Sequence, residues 1–196
     1  MPEPKDVRAG TPAKDRDLHN LQQAYSSLAR KARLYERIHP LFLNPKRLEA
    51  NLDAVMKALL LDLDAEAGSI ILIDPDAGEF FFAAAEGPVS DEIKKIRFPR
   101  TRGIAGAAAE GRRTIAVSDV SQDPRFYREI TDQMGYEVRS LLAVPILLRD
   151  EPIGVLEVIN KREGNQFLSH EIDLVEKVAG LTAILILLGE HFSPEF

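Results

Sequence analysis

Two apolar runs, Ser140–Leu148 and Ile153–Ile159, stand either side of the link Arg149-Asp-Glu-Pro152. Runs of this length, rich in Val, Ile and Leu and joined by so short a polar stretch, predict a long β-hairpin, so these two strands run antiparallel. A second such pair lies upstream. Ser69–Ile73 and Phe80–Ala85 flank Asp74-Pro-Asp-Ala-Gly-Glu79, whose residues supply turn chemistry. Ile96–Phe98 and Thr114–Val117 read as two further short strands.

Helical patterns bracket these strands. From Asp17, Leu18, Leu21, Tyr25, Leu28, Ala32 and Tyr35 recur at steps of three and four, the narrow seam of a heptad helix that needs a partner. His39-Pro40 interrupts it. Asn44-Pro45 then reads as a helix start, a capping side chain before a proline at the first helical position. The helix that follows carries Leu48, Leu52, Val55, Met56, Leu59, Leu60 and Leu63 on a face broad enough to cover a sheet, and Gly68 is expected to close this section. Shorter helices are expected near Asp91–Lys95, at Arg102–Gly111 and at Tyr127–Met134, the last ended by Gly135.

The final helix is expected from about Ser169, its cap, to Glu190. Leu174, Val178, Leu181, Leu185 and Leu188 form one apolar stripe on it, and Ile172, Val175, Ala179, Ala183 and Ile186 a second. Two stripes need two packing partners: the sheet is one, and the heptad helix, from the same or a second chain, is the other. Residues 1–16, polar and punctuated by Pro2, Pro4, Gly10 and Pro12, are expected to form a disordered tail. The domain plan is therefore a tail over 1–16, a dimerisation or signalling helix over 17–39 and a folded domain over 40–192.

Charge and composition exclude several classes of function. Residues 1–47 hold ten Lys/Arg against five Asp/Glu, which leaves the remainder strongly acidic within a net charge of −6. An acidic body opposes binding to a phosphate backbone, so no nucleic-acid partner is expected. With no cysteine, the chain has no disulfide, thiolate metal site or thiol nucleophile. His19, His39, His170 and His191 form no pair at metal-ligand spacing, and no nucleophile elbow or phosphate loop occurs. No metal site and no catalytic residue are expected. No signal peptide or membrane-length apolar run is evident, so a cytoplasmic location without membrane contact is expected.

Four fragments, in order and at fitting intervals, resemble the GAF domain family: Gly103-Ile-Ala-Gly106, Ser118–Phe126, Arg139–Ile146 and Ile153–Lys161. The resemblance covers about residues 40–190. It implies an α+β fold in which a central antiparallel sheet of five or six strands carries the amino- and carboxy-terminal helices on one face and a ligand pocket on the other. Asn160, Lys161, Phe167 and Glu171 are also similar to the Asn-Lys…Phe-x-x-x-Asp-Glu motif of cyclic-nucleotide-binding members. Glu replaces Asp at position 171 and Ile172 replaces the final Glu, so the match is partial. In that family the Lys and the acid resemble a structural clamp between a strand end and a helix start.

The expected ligand contacts are Arg97, Phe98, Arg102, Gly103, Ile104, Ala105 and Asp119. Glycines at a helix start let backbone N–H groups approach an anion, and Arg97, Arg100 or Arg102 can pair with phosphate or carboxylate; equally, the glycines suit a tight turn and the arginines suit solvent. Phe98 either stacks on a base or fills the core, and Asp123 before Pro124 reads as a turn former that pairs with Arg125.

The function expected from this resemblance is non-enzymatic sensing. A small ligand, a cyclic nucleotide or an acidic metabolite, binds under the covering loops, and the terminal helices act in a homodimer through Leu18, Leu21, Tyr25, Leu28, Ala32, Tyr35, Leu181, Leu185 and Leu188. A dimerising interaction scaffold with a vestigial pocket is the alternative. The free-methionine-sulfoxide reductases of the family use thiol chemistry, which this chain lacks. No cofactor beyond the ligand is expected. Such modules commonly precede an output domain; none follows here, so either a longer chain or a separate signalling protein is expected to carry the output.

Overall fold

The computed structural model describes residues 12–192. Helix α1 (Pro12–Ile38) is followed by a 3-10 turn (His39–Leu43) and α2 (Leu48–Leu63). The hairpin β1 (Ala65–Asp74) and β2 (Glu79–Glu86) leads through α3 (Ser90–Ile93) to β3 (Arg97–Pro99), α4 (Gly103–Gly111) and β4 (Ile115–Val117). After α5 (Arg128–Met134) come β5 (Leu141–Leu148), β6 (Glu151–Lys161) and α6 (Ser169–Phe192). The six strands form one sheet in the order β3-β2-β1-β6-β5-β4, antiparallel at each pairing. The expected α+β architecture is present, with six strands.

Strand alternation divides the interior in two. Ile70, Leu142, Val144, Leu156 and Val158 face a core shared with Val55, Met56 and Leu59 of α2 and Val175 and Val178 of α6. Ile71, Ala143 and Val155, one residue out of phase, face a second core with Phe80, Phe98 and Ile104. A period of two thus sends neighbouring residues of one strand to opposite layers. The terminal helices cover one face and the short helices the other. The central hairpin turns through Arg149 and Asp150, whose φ values of 53° and 65° are those of a two-residue turn matched to strand twist, so Pro152 already lies in β6.

Several boundaries differ from the sequence reading. Residues 1–11 of the expected tail lie outside the described residues, while α1 begins at Pro12 instead of Asp17. Asn44 does not cap α2: the helix starts three residues after Pro45, and Asn51 from inside it donates to the carbonyls of Leu41 and Asn44 (3.2 and 2.9 Å). A side chain reaching back from the second turn holds the incoming chain where a cap was expected. Gly68 does not close a helical section but lies inside β1, where a Cβ would meet Met56 Cε at 2.5 Å and the Glu157 carbonyl at 2.7 Å. Close approach of α2 to the sheet demands glycine there. Ser169 is the first helical residue of α6, and the capping contact is supplied by Glu171, which accepts from the Leu168 backbone N–H at 2.8 Å.

The helical stripes are also apportioned differently. Leu185 is 0% exposed and packs inside the chain, so it is not available to a partner, and Leu181 and Leu188 are half-buried. The sheet and α2 use up the apolar faces of α6 because both lie against it in the same chain. On α1, Leu34 and Ile38 anchor the helix to the body, and Lys31 adds an ion pair to Asp173 (2.7 Å), a carboxylate that its hydrogen bonds from Lys177 and Lys31 hold down at about 2. Leu18, Leu21, Tyr25 and Leu28 are instead 59%, 68%, 74% and 67% exposed, and Ala32 and Tyr35 are exposed as well.

Candidate functional site

A cavity of about 90 Å³ lies between the sheet and the short helices, on the face opposite α1, α2 and α6. Alternate residues of β1 and β6, Ser69, Ile71, Glu157 and Ile159, make its floor. Phe82 and Phe98 stand at one side, and Ile104 and Ala105 of α4 with Ile130 and Met134 of α5 close over it. Rings surround it: Phe98 lies 5.7 Å from Phe82 and 6.2 Å from Tyr127 between centroids. The chamber is apolar because strand alternation aims one face of each central strand into it.

Glu157 is the exception. It sits in the middle of β6, is buried, and has Ser69 Oγ donating to its carboxylate at a long 3.4 Å. Burial pushes this carboxyl up to about 7, against which the Ser69 hydrogen bond is a small counterweight. The cavity wall otherwise offers polar groups from Glu86, Ser90, Tyr127, Thr131 and Tyr136, and no Lys, Arg or His is among its residues. Sequence reasoning missed Glu157, although one acid within Val155-Leu-Glu-Val-Ile159 was a readable signal. A lone charge in a strand apolar on both sides has no solvent-facing side to occupy.

The expected ligand residues divide between cavity and surface. Phe98, Gly103, Ile104 and Ala105 line the cavity. Arg97 does not: β3 alternates, so Phe98 points inward while Arg97 pairs with Asp74 at 2.8 Å and lies over the Phe81 ring. Arg102 occupies the N-cap position of α4 with its guanidinium 5.1 Å from the centre of the Tyr127 ring, outside the lining. The glycines there answer to backbone geometry: Gly103 has φ 78°, and a Cβ on Gly106 would meet the Thr101 carbonyl carbon at 2.6 Å. Asp119 accepts from the Ser121 N–H at 3.0 Å, capping the 3-10 turn Val120–Gln122, and borders a shallow depression elsewhere on the surface. Asp123 pairs with Arg125, whose hydrogen bonds hold its carboxyl below the usual range.

The Asn-Lys segment braces this site from behind. Asn160, fully buried with φ 55°, accepts from the Arg139 and Ser140 N–H groups (2.7 and 3.3 Å) and directs its amide toward Glu66 (3.0 Å), Tyr136 (3.2 Å) and the Glu137 carbonyl (2.8 Å). Tyr136, itself in the cavity wall, donates onward to Glu66 at 3.3 Å, and Arg139 secures Glu66 at 2.7 Å. Lys161 bonds Glu171 at the start of α6, and Phe167 fills the core beneath. Asn160→Gly keeps the left-handed backbone at low cost yet strips the amide, and is expected to lower stability by about 2 kcal/mol in urea unfolding. A change below about 0.5 kcal/mol would mean that water replaces the amide without penalty.

Comparison with known proteins gives one consistent picture. A family model described as GAF domain matches residues 47–186. A stretch of 111 residues is 29% identical to the probable 3',5'-cyclic phosphodiesterase pde-5 of Caenorhabditis elegans, covering 52% of this chain and only 15% of that protein. Among solved structures, the GAF domain of an Acinetobacter phosphoenolpyruvate-protein phosphotransferase superposes with a TM-score of 0.72 at 18% identity, covering 87% of this chain and 98% of that one. The free methionine-R-sulfoxide reductase of Neisseria meningitidis, solved with its substrate, superposes at 0.71 and 20% identity over 86% and 94%. At these identities the superpositions establish shape, and that shape is shared here by the GAF domain of a phosphotransferase and by a reductase. Among the described residues no helix is long and apolar enough to cross a membrane.

Proposed function

We infer, from the fact that the chain belongs to the GAF domain family, a ligand-binding sensory and regulatory fold, that it acts as a non-enzymatic sensor. A small molecule occupies the cavity beneath α4 and α5, and α1 relays its presence to a second copy of the chain. The observation that carries this reading is the placement of a partly open apolar cavity and an exposed heptad stripe on opposite sides of one sheet. Central strands contribute to both layers, so a change in the floor of the cavity reaches the packing under the terminal helices. The effect is limited to the ligand's differential affinity for two helix arrangements, typically about 1–3 kcal/mol. Absence of cysteine supports the non-enzymatic part, since thiol-based sulfoxide reduction has no nucleophile here.

Binding is tested by native mass spectrometry of the purified chain and by thermal shift against a metabolite set. A ligand at one hundred times its Kd is expected to add about 2.7 kcal/mol of stability. If no compound shifts the melt and nothing copurifies, the sensor reading fails. The helix part has its own measurement. Sedimentation at tens of micromolar is expected to give a dimer, and Leu21→Lys with Leu28→Lys a monomer with an unchanged melt of the body, because charge at seam positions opposes helix pairing while α1's anchor at Leu34 and Ile38 is untouched. A wild-type monomer would remove α1 from the mechanism.

A further inference from the structure

We propose that the molecule taken up by the cavity is a compact, mainly apolar cation, one protonated nitrogen donating to the Glu157 carboxylate and the rest filling the space among the aromatic walls. The proposal deepens the sensor reading above and rests on it.

Charge is the first ground. A carboxylate has capacity for about four hydrogen bonds, and Glu157 receives one long contact from Ser69 while buried in an apolar chamber. An under-satisfied buried carboxylate is costly unless a donor or cation joins it. Among the described residues none is brought: the cavity wall holds no Lys, Arg or His, and Arg97 pairs with Asp74, Arg102 lies over Tyr127 and Arg139 pairs with Glu66. Above about pH 7, where the carboxyl no longer keeps its proton, the counter-charge is supplied by the occupant. A phosphate or carboxylate in the same place would meet Glu157 with no compensating group, which disfavours cyclic nucleotides and acidic metabolites.

Size and surface are the second. At about 90 Å³ the cavity falls well below the roughly 300–1,000 Å³ of pockets that enclose drug-sized ligands, so the occupant is small. Ile71, Phe82, Phe98, Ile104 and Met134 bound it, and aromatic faces favour a cation besides contributing apolar contact. The other titratable groups of the wall are Glu86, which faces Lys57 at 3.7 Å, and Tyr127 and Tyr136, whose hydroxyls are shifted upward, by the Glu129 hydrogen bond and by burial respectively.

The experiment uses four probes on the full chain by calorimetry and thermal shift: benzylamine, benzyl alcohol, benzoate and cyclic GMP. At about pH 8, benzylamine is expected to bind at least about tenfold more tightly than benzyl alcohol, with benzoate and cyclic GMP weaker than both. At about pH 5.5, where Glu157 takes up a proton while the amine keeps its own, the advantage of benzylamine is expected to fall below about threefold. Glu157→Gln is expected to abolish the amine preference at both pH values and to retain benzyl alcohol; the wild-type pH comparison stands without the variant. Tightest binding by benzoate or cyclic GMP, or an amine preference that survives Glu157→Gln, overturns the proposal while leaving a binding cavity. If none of the four binds, the proposal is overturned, and the metabolite screen and native mass spectrum decide the cavity reading separately.

Discussion

Lys161→Met is expected to cost 3–5 kcal/mol of unfolding free energy, a range of about that size being what removal of one partner of a buried ion pair produces. Lys161 and Glu171 have side chains only 10% and 4% exposed, so the methionine strands a carboxylate away from water instead of releasing it. An exposed ion pair is worth only about 0–1 kcal/mol, and burial of this one changes the magnitude. The double variant Lys161→Met with Glu171→Gln is expected to recover most of the loss, because glutamine removes the charge yet still accepts from the Leu168 N–H at the start of α6. Urea unfolding of wild type and both variants measures the effect. A single-variant loss under about 1 kcal/mol would show that solvent screens the pair and that it does not clamp β6 to α6.

Glu157→Gln is expected to remove a pH dependence of folding stability reaching about 3 kcal/mol. The folded protein holds the Glu157 proton up to about 7, whereas the unfolded chain releases it near the ordinary 4.5. Between those values the folded state binds the extra proton, so this contribution is complete below about 4.5, declines as pH rises through the window and levels off above about 7. Glutamine cannot titrate. The variant should match wild type near the acid end and exceed it at the alkaline end. Asp173, held down at about 2, acts in the opposite sense at lower pH but is present in both proteins, so it cancels in the difference. Stability differences measured across the range check the result, and a constant offset between the two proteins would show that Glu157 is solvated in the native state.

Both predictions concern acids whose role depends on what surrounds them, and this marks the limit of what could be read in advance. The strands and helices were legible because hydrophobic period and turn chemistry are local: Asp74–Glu79 and Arg149–Pro152 announce their hairpins, and the apolar face of α2 announces the sheet it covers. Caps were less legible. Asn44 and Ser169 had the right chemistry in the right place, but Asn51 and Glu171, each inside its helix, supplied the contacts. Asn51 donates to carbonyls of the incoming chain where Asn44 would have accepted from helix N–H groups, and spacing alone does not choose between such devices.

The candidate site was half legible. Phe98, Gly103, Ile104 and Ala105 line the cavity as the motif implied, whereas Arg97, Arg102 and Asp119 have polar or aromatic neighbours on the outer surface. The arginines drew notice because charge beside glycines suggests an anion cradle. Their direction was set by the pleat of β3 and by Tyr127, which arrives from residues a full strand and loop later. Glu157 was marked in the sequence only by its place in an apolar run, because the residues that surround it come from separated segments.

By itself the sequence determined the order of strands and helices, the lack of any thiol chemistry and the family of the fold, since each follows from local patterns or from which residue types are present. Tertiary structure alone decided that Lys161 and Glu171 are shut away from water, that Leu185 is spent inside the chain while Leu21 and Leu28 are not, and that an acid stands in an apolar chamber without a cation. Burial and electrostatic environment arise from residues distant along the chain, and dielectric surroundings, unlike periodicity, cannot be read from neighbours in sequence.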